Sequence, residues 1–421
     1  MTDVTMDSAS GRFSGPLWRS AFRPFYLLGV LYGLGVMGVW LLTNAGLIDV
    51  LPGGYRLSLW HGHEMTFGFS GAIVLGFVLT ALPGWAGTKE ITGGRLALLV
   101  VLWLGGRVAV YGGDVMPAYL VMALDCSLFL AAMIMVLPSL LVNKNKHYLG
   151  LLPIFFMLFI GNVIFHLAVM DGDMARASWA IQIGIMGIVV KFILAGGFLT
   201  TVFTGNALKQ KTGEGLVLSP LLEYVSAATI GFFIYGALGG YSEGYTSGKL
   251  TASFAFLAAA VQVVRFWRWR SFHILDAPLV VVMHLAYLWF IGALILYGAA
   301  SFTAKIGPHV WLHAFTVGAL SLMMLSLLTR VTLRHTGRKL IPAKAMILSF
   351  AVLFFCAFLR IFVSLGFLDD GWFPAIAALW ALPFLIYMAL YGAYLIRPSL
   401  PKRKGPKVIA SELVPPIKNN R

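Results

Sequence analysis

The sequence predicts an all-α polytopic membrane protein, a bundle of about 12 transmembrane helices with both termini in the cytoplasm. Of its 421 residues, 59% are hydrophobic and only 11% are charged, and the mean hydropathy is +0.87. A soluble protein of this composition would lack the polar residues needed to cover its surface, so the apolar excess must face lipid. The long apolar runs show no two-residue alternation, which favours membrane-spanning helices over a β-barrel.

Twelve apolar segments of roughly 17 to 25 residues are long enough to cross a bilayer as helices. They cover residues 25–42, 59–82, 95–111, 118–141, 148–169, 177–204, 218–239, 249–267, 276–299, 309–329, 345–365 and 373–396. The predicted organisation is therefore a cytoplasmic segment (1–24), a transmembrane domain (25–396) and a basic cytoplasmic tail (397–421). No internal repeat is evident, and the acidic start of the chain is unlike a cleavable signal peptide.

The basic residues predict the orientation of the bundle. The net charge is +15, but Lys and Arg lie between the apolar segments and form no stripe interleaved with aromatics, so no nucleic-acid partner is expected. One side of the membrane receives only four of these residues, Arg56, Arg176, Lys249 and Lys305. Because positively charged loops stay inside, the other side, with both termini, is predicted to be cytoplasmic.

Polar residues gather at the outer ends of several spans. Of the nine histidines, this topology places five in the outer leaflet and one, His284 on span 9, nearer the middle. The outer group also contains acids, an amide and arginines; its members are His61, His63, Glu64, Arg107, Asp125, Asn162, His166, His309, His313 and Arg360. Ionisable residues inside a membrane persist where they pair, bind metal or line a pathway. Because imidazole is a common ligand of haem iron and copper, the group predicts a haem or metal site.

Spacing limits how these residues act together. His61 and His63 are two residues apart and point to nearly opposite sides of a regular helix, so they serve two neighbouring sites or are brought together by a distorted helix start. Glu64 shares the face of His61 and is a candidate to orient a ligand or to relay protons. Arg107 and Arg360 are candidates to pair with haem propionates or with nearby carboxylates.

Two further features concern the interior of the spans. Lys191, in the middle of span 6, either snorkels, pairs with an acid or lines a proton path. The pairs Gly105-Gly106 and Gly196-Gly197 are predicted to let helices approach closely.

Any haem in this chain is expected to be held by coordination alone. The two cysteines, Cys126 and Cys356, lie in apolar runs, and no C-x-x-C-H motif for covalent attachment occurs. The expected haem is therefore a non-covalent, b-type group.

Several segments resemble the NnrS family of bacterial membrane proteins: WHGHEMTFGFSGAIVLGFVLTALPGW, GNVIFHL, MHLAYLW and HAFTVGALSLMMLSLLTRVTLRHTGR. FRPFYLLG near the start and LGGR around Arg107 agree with it as well, so the resemblance runs through nearly the whole chain. It implies a haem- and copper-containing protein of the bacterial inner membrane that takes part in the response to nitric oxide. The matching positions are His61, His63, Glu64, Arg107, Asn162, His166, His284, His313, Arg330 and His335.

The resemblance and the topology together define the expected site. The expected metal ligands, with the division between haem and copper left open, are His61, His63, His166, His284 and His313. Arg107 and Arg360 are the expected additional cofactor-binding residues, and Glu64 is the expected catalytic residue. The family pattern also carries arginines where this chain has Phe198 and Gly205, and the effect of that departure is open.

Three classes of function are compatible with these residues. The leading hypothesis is a protein that binds nitric oxide and protects against nitrosative stress, by redox turnover of the nitric oxide reductase type at an outer haem-copper site supplied by a separate electron donor. The second is a non-catalytic nitric oxide or nitrosyl-metal response protein. The third is a twelve-helix transporter of metal or of a proton-coupled substrate.

The predicted topology can be tested with a reporter that is active only in the periplasm. Fused after Arg421, such a reporter is expected to be inactive, because the surplus of basic residues keeps that side of the chain in the cytoplasm. The same reporter inserted next to Arg176 is expected to be active and serves as the control. Activity at Arg421 would reverse the assignment of the two sides.

Overall fold

Twelve membrane-spanning helices dominate the structure. A computed structural model describes residues 13–48, 55–143, 146–213, 215–217, 219–239, 248–307 and 309–401, and all regular structure among them is helical. The helices long and apolar enough to cross a membrane are numbered here in chain order: α1 Phe22–Asn44, α2 Leu57–Ala86, α3 Gly93–Tyr111, α4 Ala118–Val142, α5 Tyr148–Met170, α6 Met174–Thr212, α7 Pro220–Gly239, α8 Lys249–Trp267, α9 Pro278–Ala300, α10 His309–His335, α11 Lys344–Ser364 and α12 Asp370–Ile396. The predicted all-α bundle of about twelve candidate transmembrane helices is confirmed, whereas the cytoplasmic position of the termini stays a prediction.

Local sequence explains where several helices begin and end. The Asp173 carboxylate caps α6 by accepting a hydrogen bond from the Arg176 backbone N–H at 2.9 Å. Pro278 is the first residue of α9. The first N–H groups of a helix have no partner within the helix, so the N–H that proline lacks costs no hydrogen bond there. Gly87 and Gly213 end α2 and α6 with φ of 63° and 79°, a left-handed conformation that glycine adopts without strain. Helix α6 therefore ends well beyond residue 204, the predicted end of span 6.

Three helices form the centre of the bundle. In the most apolar stretch of α2, α6 and α10, 89%, 83% and 78% of the residues are buried, whereas in the other helices among the described residues the share runs from 33% to 67%. Neighbouring helices pack against these three, with α1 against α2 and α12, α5 against α6, and α9 and α11 against α10. Ligand sites in helical bundles form between such facing central helices.

Each central helix contains one π-helical turn. These turns are Glu64–Ser70 in α2, Phe192–Gly197 in α6 and Ala314–Leu320 in α10. The residue directly before the turn is polar in every case: His63, Lys191 and His313. In α2 and α10 the turn begins within the same sequence pattern, His-x-x-Thr-x-Gly. This pattern is too short to be recognised as an internal repeat from the sequence alone. Because π-turns occur frequently at functional sites, they direct attention to these three residues.

The two ends of the bundle differ in character. We call the end at which α1 ends and α2 begins the histidine end, because His61, His63, His166 and His313 all lie within a few turns of it. We call the opposite end, at which α1 begins and α12 ends, the terminal end.

Candidate functional site

A cluster of charged and imidazole groups is buried at the histidine end. We call it the carboxylate–histidine cluster and define it as His63, Glu64, Arg107, Asp125 and His166. All five residues are at most 5% exposed. The Arg107 guanidinium donates hydrogen bonds to both carboxylates, joining Glu64 on α2 to Asp125 on α4. Of the two partners predicted for Arg107, a carboxylate or a haem propionate, the structure shows carboxylates.

His63 is held on both ring nitrogens. Its Nδ1 lies 2.8 Å from Glu64 Oε1, and its Nε2 lies 2.8 Å from Asn162 Oδ1 and 3.2 Å from Asp125 Oδ2. The Asn162 amide N–H donates to Asp125 at 3.1 Å, which fixes the orientation of that amide. Both ring nitrogens therefore face acceptor oxygens, an arrangement that the doubly protonated ring satisfies. The Phe165 ring stacks on His63, with centroids 4.3 Å apart.

The charges of the cluster nearly balance. Two carboxylates oppose one guanidinium, which leaves one negative charge when both histidines are neutral. A single proton on His63, or a monovalent metal cation in its place, brings the total to zero. His166 Nε2 lies 2.9 Å from Asp125 Oδ2, and ligand atoms of His63, Asp125 and His166 all lie within 4.8 Å of one another. These three residues could therefore hold one metal ion.

Two glycines make room for the cluster. A Cβ on Gly106 would lie 2.8 Å from Asp125 Oδ1 and 2.9 Å from its Cα, and a Cβ on Gly68 would lie 3.0 Å from both Arg107 Nη1 and Glu64 Oε2. The close helix approach predicted for the Gly105-Gly106 pair is therefore confirmed at Gly106, whereas Gly105 faces open space.

A cavity of about 670 Å³ adjoins the cluster at the same end of the bundle. It lies between α2, α6 and α10 and is walled by α1, α11 and α12. The polar groups in its lining include His61, His313 and Arg360, and its apolar lining is rich in aromatic rings and methionines, among them Trp40, Met65, Phe69, Met324, Phe373 and Trp380. Pockets of this size and composition bind small molecules and cofactors.

Of the three histidines that line the cavity, His61, His309 and His313, the first and the last present nitrogens suited to a ligand. His313 Nδ1 lies 2.9 Å from the His309 carbonyl oxygen, to which it can only donate, so its Nε2 is the acceptor nitrogen in the neutral ring. That Nε2 lies 3.2 Å from the Arg360 guanidinium. His61 packs against Trp40, with ring centroids 5.7 Å apart, and its buried Nδ1 has no hydrogen-bond partner among the residues that the structure describes. A buried polar atom without a partner is costly, unless it serves a ligand.

The predicted site residues thus fall into three places. His63 and His166 belong to the cluster with Glu64 and Arg107, whereas His61, His313 and Arg360 line the cavity. Of the two arrangements predicted for His61 and His63, the structure shows two neighbouring sites. His284 joins neither, because it lies two turns inside the terminal end, with its nitrogens 2.8 Å from Thr204 Oγ1 and Ser271 Oγ. Its position, six residues into the 23-residue helix α9, agrees with a depth nearer the middle than that of the other spanning-segment histidines.

The sequence model of the family described as NnrS protein matches residues 16–399, which is nearly the whole chain. The chain belongs to the NnrS family. No curated protein matches it significantly. As an NnrS family member with twelve candidate spanning helices, it is a multi-pass membrane protein.

Sequence reasoning undervalued some residues of this NnrS protein. Asp125 was considered only as a partner for an arginine, yet it is the acid that joins His63, His166 and Arg107. An isolated acid within an apolar span was the available signal. The Tyr32 hydroxyl donates a hydrogen bond to Glu64. The sequence gives no signal for this role, because a single tyrosine in a membrane helix does not indicate a site.

Lys191 remains without a polar partner among the described residues. Its side chain is 1% exposed, and its ammonium lies 4.9 Å from the centroid of the Phe77 ring. Snorkelling and pairing with an acid, two of its three predicted roles, are therefore not observed in this part of the chain. The role in a proton path stays a prediction.

The adjacent glycines on α3 allow a matched test of the cluster packing. Gly106→Ala is expected to destabilise the protein by about 1–3 kcal/mol, because the added methyl displaces Asp125. Gly105→Ala is the control and should be neutral or slightly stabilising, since nothing lies within 4 Å of that position and alanine favours the helix. Thermal unfolding of the two purified variants measures the difference; equal melting temperatures would contradict the described contact.

Proposed function

We propose that this chain is a haem- and copper-binding protein of the bacterial inner membrane that binds nitric oxide and protects the cell against it. The observation that supports this most directly is the pair of histidines, His61 and His313, on one aromatic-lined cavity beside a separate cluster of histidines and carboxylates. The NnrS resemblance implies haem, copper and nitric oxide, and the two sites offer two different donor sets for the two metals.

The cavity residues fit a b-type haem. A haem is a flat apolar ring with two propionate carboxylates, so it needs aromatic or aliphatic walls, an iron ligand and a cation. Trp40, Phe69 and Trp380 supply apolar walls, His61 and His313 supply imidazole nitrogens, and Arg360 supplies the cation. When bound, the haem would provide an iron centre that binds nitric oxide directly. An uncharged diatomic gas partitions into lipid and can reach the cavity from the bilayer.

Hydrogen bonding prepares His313 to be an iron ligand. Its Nδ1–H donates to the His309 carbonyl, the kind of outer contact that fixes the tautomer of metal-binding histidines and raises their basicity. Its Nε2, which the Arg360 guanidinium contacts at 3.2 Å, would be the nitrogen offered to the metal, and Arg360 would then turn from that nitrogen to pair with a propionate. The unpartnered Nδ1 of His61 supports a second ligand from α2.

The carboxylate–histidine cluster fits the copper. Imidazole suits copper, and a carboxylate completes the set formed by His63, Asp125 and His166. The cluster without a proton on His63 carries one negative charge, so a monovalent copper ion would neutralise it. The ion would replace that proton, and His63 Nε2 would bind the ion instead of contacting Asn162.

Glu64 is placed to hold or move a proton. Tyr32 donates to Oε2, and His63 Nδ1 lies 2.8 Å from Oε1, so Glu64 connects two groups that can exchange protons. Reduction of two nitric oxide molecules to nitrous oxide and water consumes two electrons and two protons. In this proposal Glu64 supplies protons at the histidine end, and a separate donor supplies the electrons.

Single alanine substitutions test the division of the metals. His61→Ala and His313→Ala are expected to lose haem and keep copper, whereas His63→Ala and His166→Ala should lose copper and keep haem, because the pairs lie in different sites. His284→Ala is the control and should keep both, because its ring lies outside the cavity and the cluster and contacts Thr204 and Ser271. Haem absorption and copper content of the purified proteins are the measurements. Retention of both metals in all four variants would refute the proposed sites.

Turnover is tested with nitric oxide and an artificial electron donor. The protein is expected to consume nitric oxide over many cycles, and Glu64→Gln should slow this by about 10²–10⁴-fold while haem and copper stay bound, because the amide cannot relay a proton. Tyr32→Phe removes the hydroxyl at one end of the same relay and is expected to slow turnover as well, with haem and copper still bound. A haem spectrum that shifts with nitric oxide without consumption would instead support the non-catalytic response protein.

A further inference from the structure

A second cavity lies at the terminal end, far from both histidine sites. Its volume is about 430 Å³, and it is formed by the end of α8, the start of α7 and the segments that flank them. Three arginines line it, Arg265, Arg268 and Arg270, against one acid, Glu223. The charged lining therefore carries an excess of two positive charges.

The floor of this cavity is a deeply buried arginine. Arg265 is 2% exposed, donates to the Tyr287 hydroxyl at 2.7 Å and forms an ion pair with Glu223. Its Nε has no hydrogen-bond partner within the described part of the chain. The Tyr287 hydroxyl in turn donates to Gln262 at 2.9 Å, so the guanidinium is held in one orientation.

The surrounding backbone is shaped to accept this arginine. A Cβ on Gly197 of α6 would lie 2.4 Å from Arg265 Nη1, so only glycine leaves space for the guanidinium. Arg270 has φ of 50°, the only positive value at a non-glycine position among the described residues. Such strained positions persist where the surroundings impose them and cluster at ligand sites. Glycine would adopt this conformation with less strain, so the presence of arginine indicates that the side chain of Arg270 has a function at this position.

We propose that this cavity binds a phosphate-bearing anion, with Arg265 at its floor and Arg268 and Arg270 at its mouth. A guanidinium is planar and presents several N–H donors, which match the oxygens of a phosphate better than a lysine ammonium does. The Arg265 guanidinium itself lines the cavity, and the excess of two positive charges around it would attract such an anion. The site is independent of the haem and copper sites.

The neighbouring surface favours the phosphate of an anionic phospholipid. Trp267, Phe272 and Leu275 lie next to the arginines along the chain and are 83%, 87% and 64% exposed. Aromatic residues at the ends of membrane helices occupy the headgroup level of the bilayer. Basic pockets between helices at that level bind anionic headgroups, and the exposed apolar side chains would contact the acyl chains. A free phosphate ion would use the arginines without these apolar contacts.

The test measures binding of phosphatidylglycerol, phosphatidylcholine and inorganic phosphate to the full chain purified in detergent. The double variant Arg268→Gln with Arg270→Gly removes two charges and gives position 270 the residue that its φ favours. Its affinity for phosphatidylglycerol is expected to fall about thirtyfold, with unchanged or higher thermal stability. The control double variant, Arg95→Gln with Lys344→Gln, removes two exposed charges from the same end and should bind as the original chain does.

The outcomes separate the sources of the phosphate. Preference for phosphatidylglycerol over phosphatidylcholine, lost only in the cavity variant, supports a lipid site. Binding of inorganic phosphate with the same dependence on Arg268 and Arg270 supports a site for a soluble anion. Equal binding by the cavity variant and the control variant would overturn the proposal, as would absence of binding by the original chain. None of these results depends on haem, copper or nitric oxide.

Discussion

The guanidinium of Arg107 lies between the carboxylates of Glu64 and Asp125, in a part of the bundle where all three side chains are buried. Moving such charges out of water costs several kcal/mol for each ion, and attraction between them offsets this only when the remaining donors and acceptors are also satisfied. The rest of the cluster follows from this requirement. His63 and Asn162 occupy the remaining oxygens, and the helices must approach closely enough to keep all of these contacts.

One helix serves both sites because of its periodicity. His61 and His63 are separated by two residues, so one ring faces the cavity while the other faces the cluster. The π-turn that follows His63 changes the register of α2, and an equivalent turn follows His313 on α10. The two sites therefore share the same end of the molecule without sharing ligands. A reaction that needs two metal centres within reach of one another would benefit from this arrangement.

The two ends of the bundle carry different chemistry. The histidine end holds buried imidazoles, carboxylates and the larger cavity, whereas the terminal end holds the cavity lined by arginines. His284 belongs to the terminal end, where Trp269 packs against it with ring centroids 5.1 Å apart. Its position between Thr204 and Ser271 explains its burial without a metal. A histidine in a membrane helix is thus not by itself a ligand, and its hydrogen-bond partners decide its role.

The sequence by itself determined the fold class, the twelve spans and the gathering of histidines at one end, because hydropathy and the length of each apolar run fix which residues cross the bilayer and at what depth. It left two arrangements open for His61 and His63, and the structure shows the two rings in separate places, as regular helical geometry requires. Only the tertiary structure decided that Asp125 completes the cluster, that Arg360 faces His313, and that His284 stands apart. Depth along a helix is a local property of the chain. Which faces of different helices meet depends on packing among all of them, and no single segment encodes it.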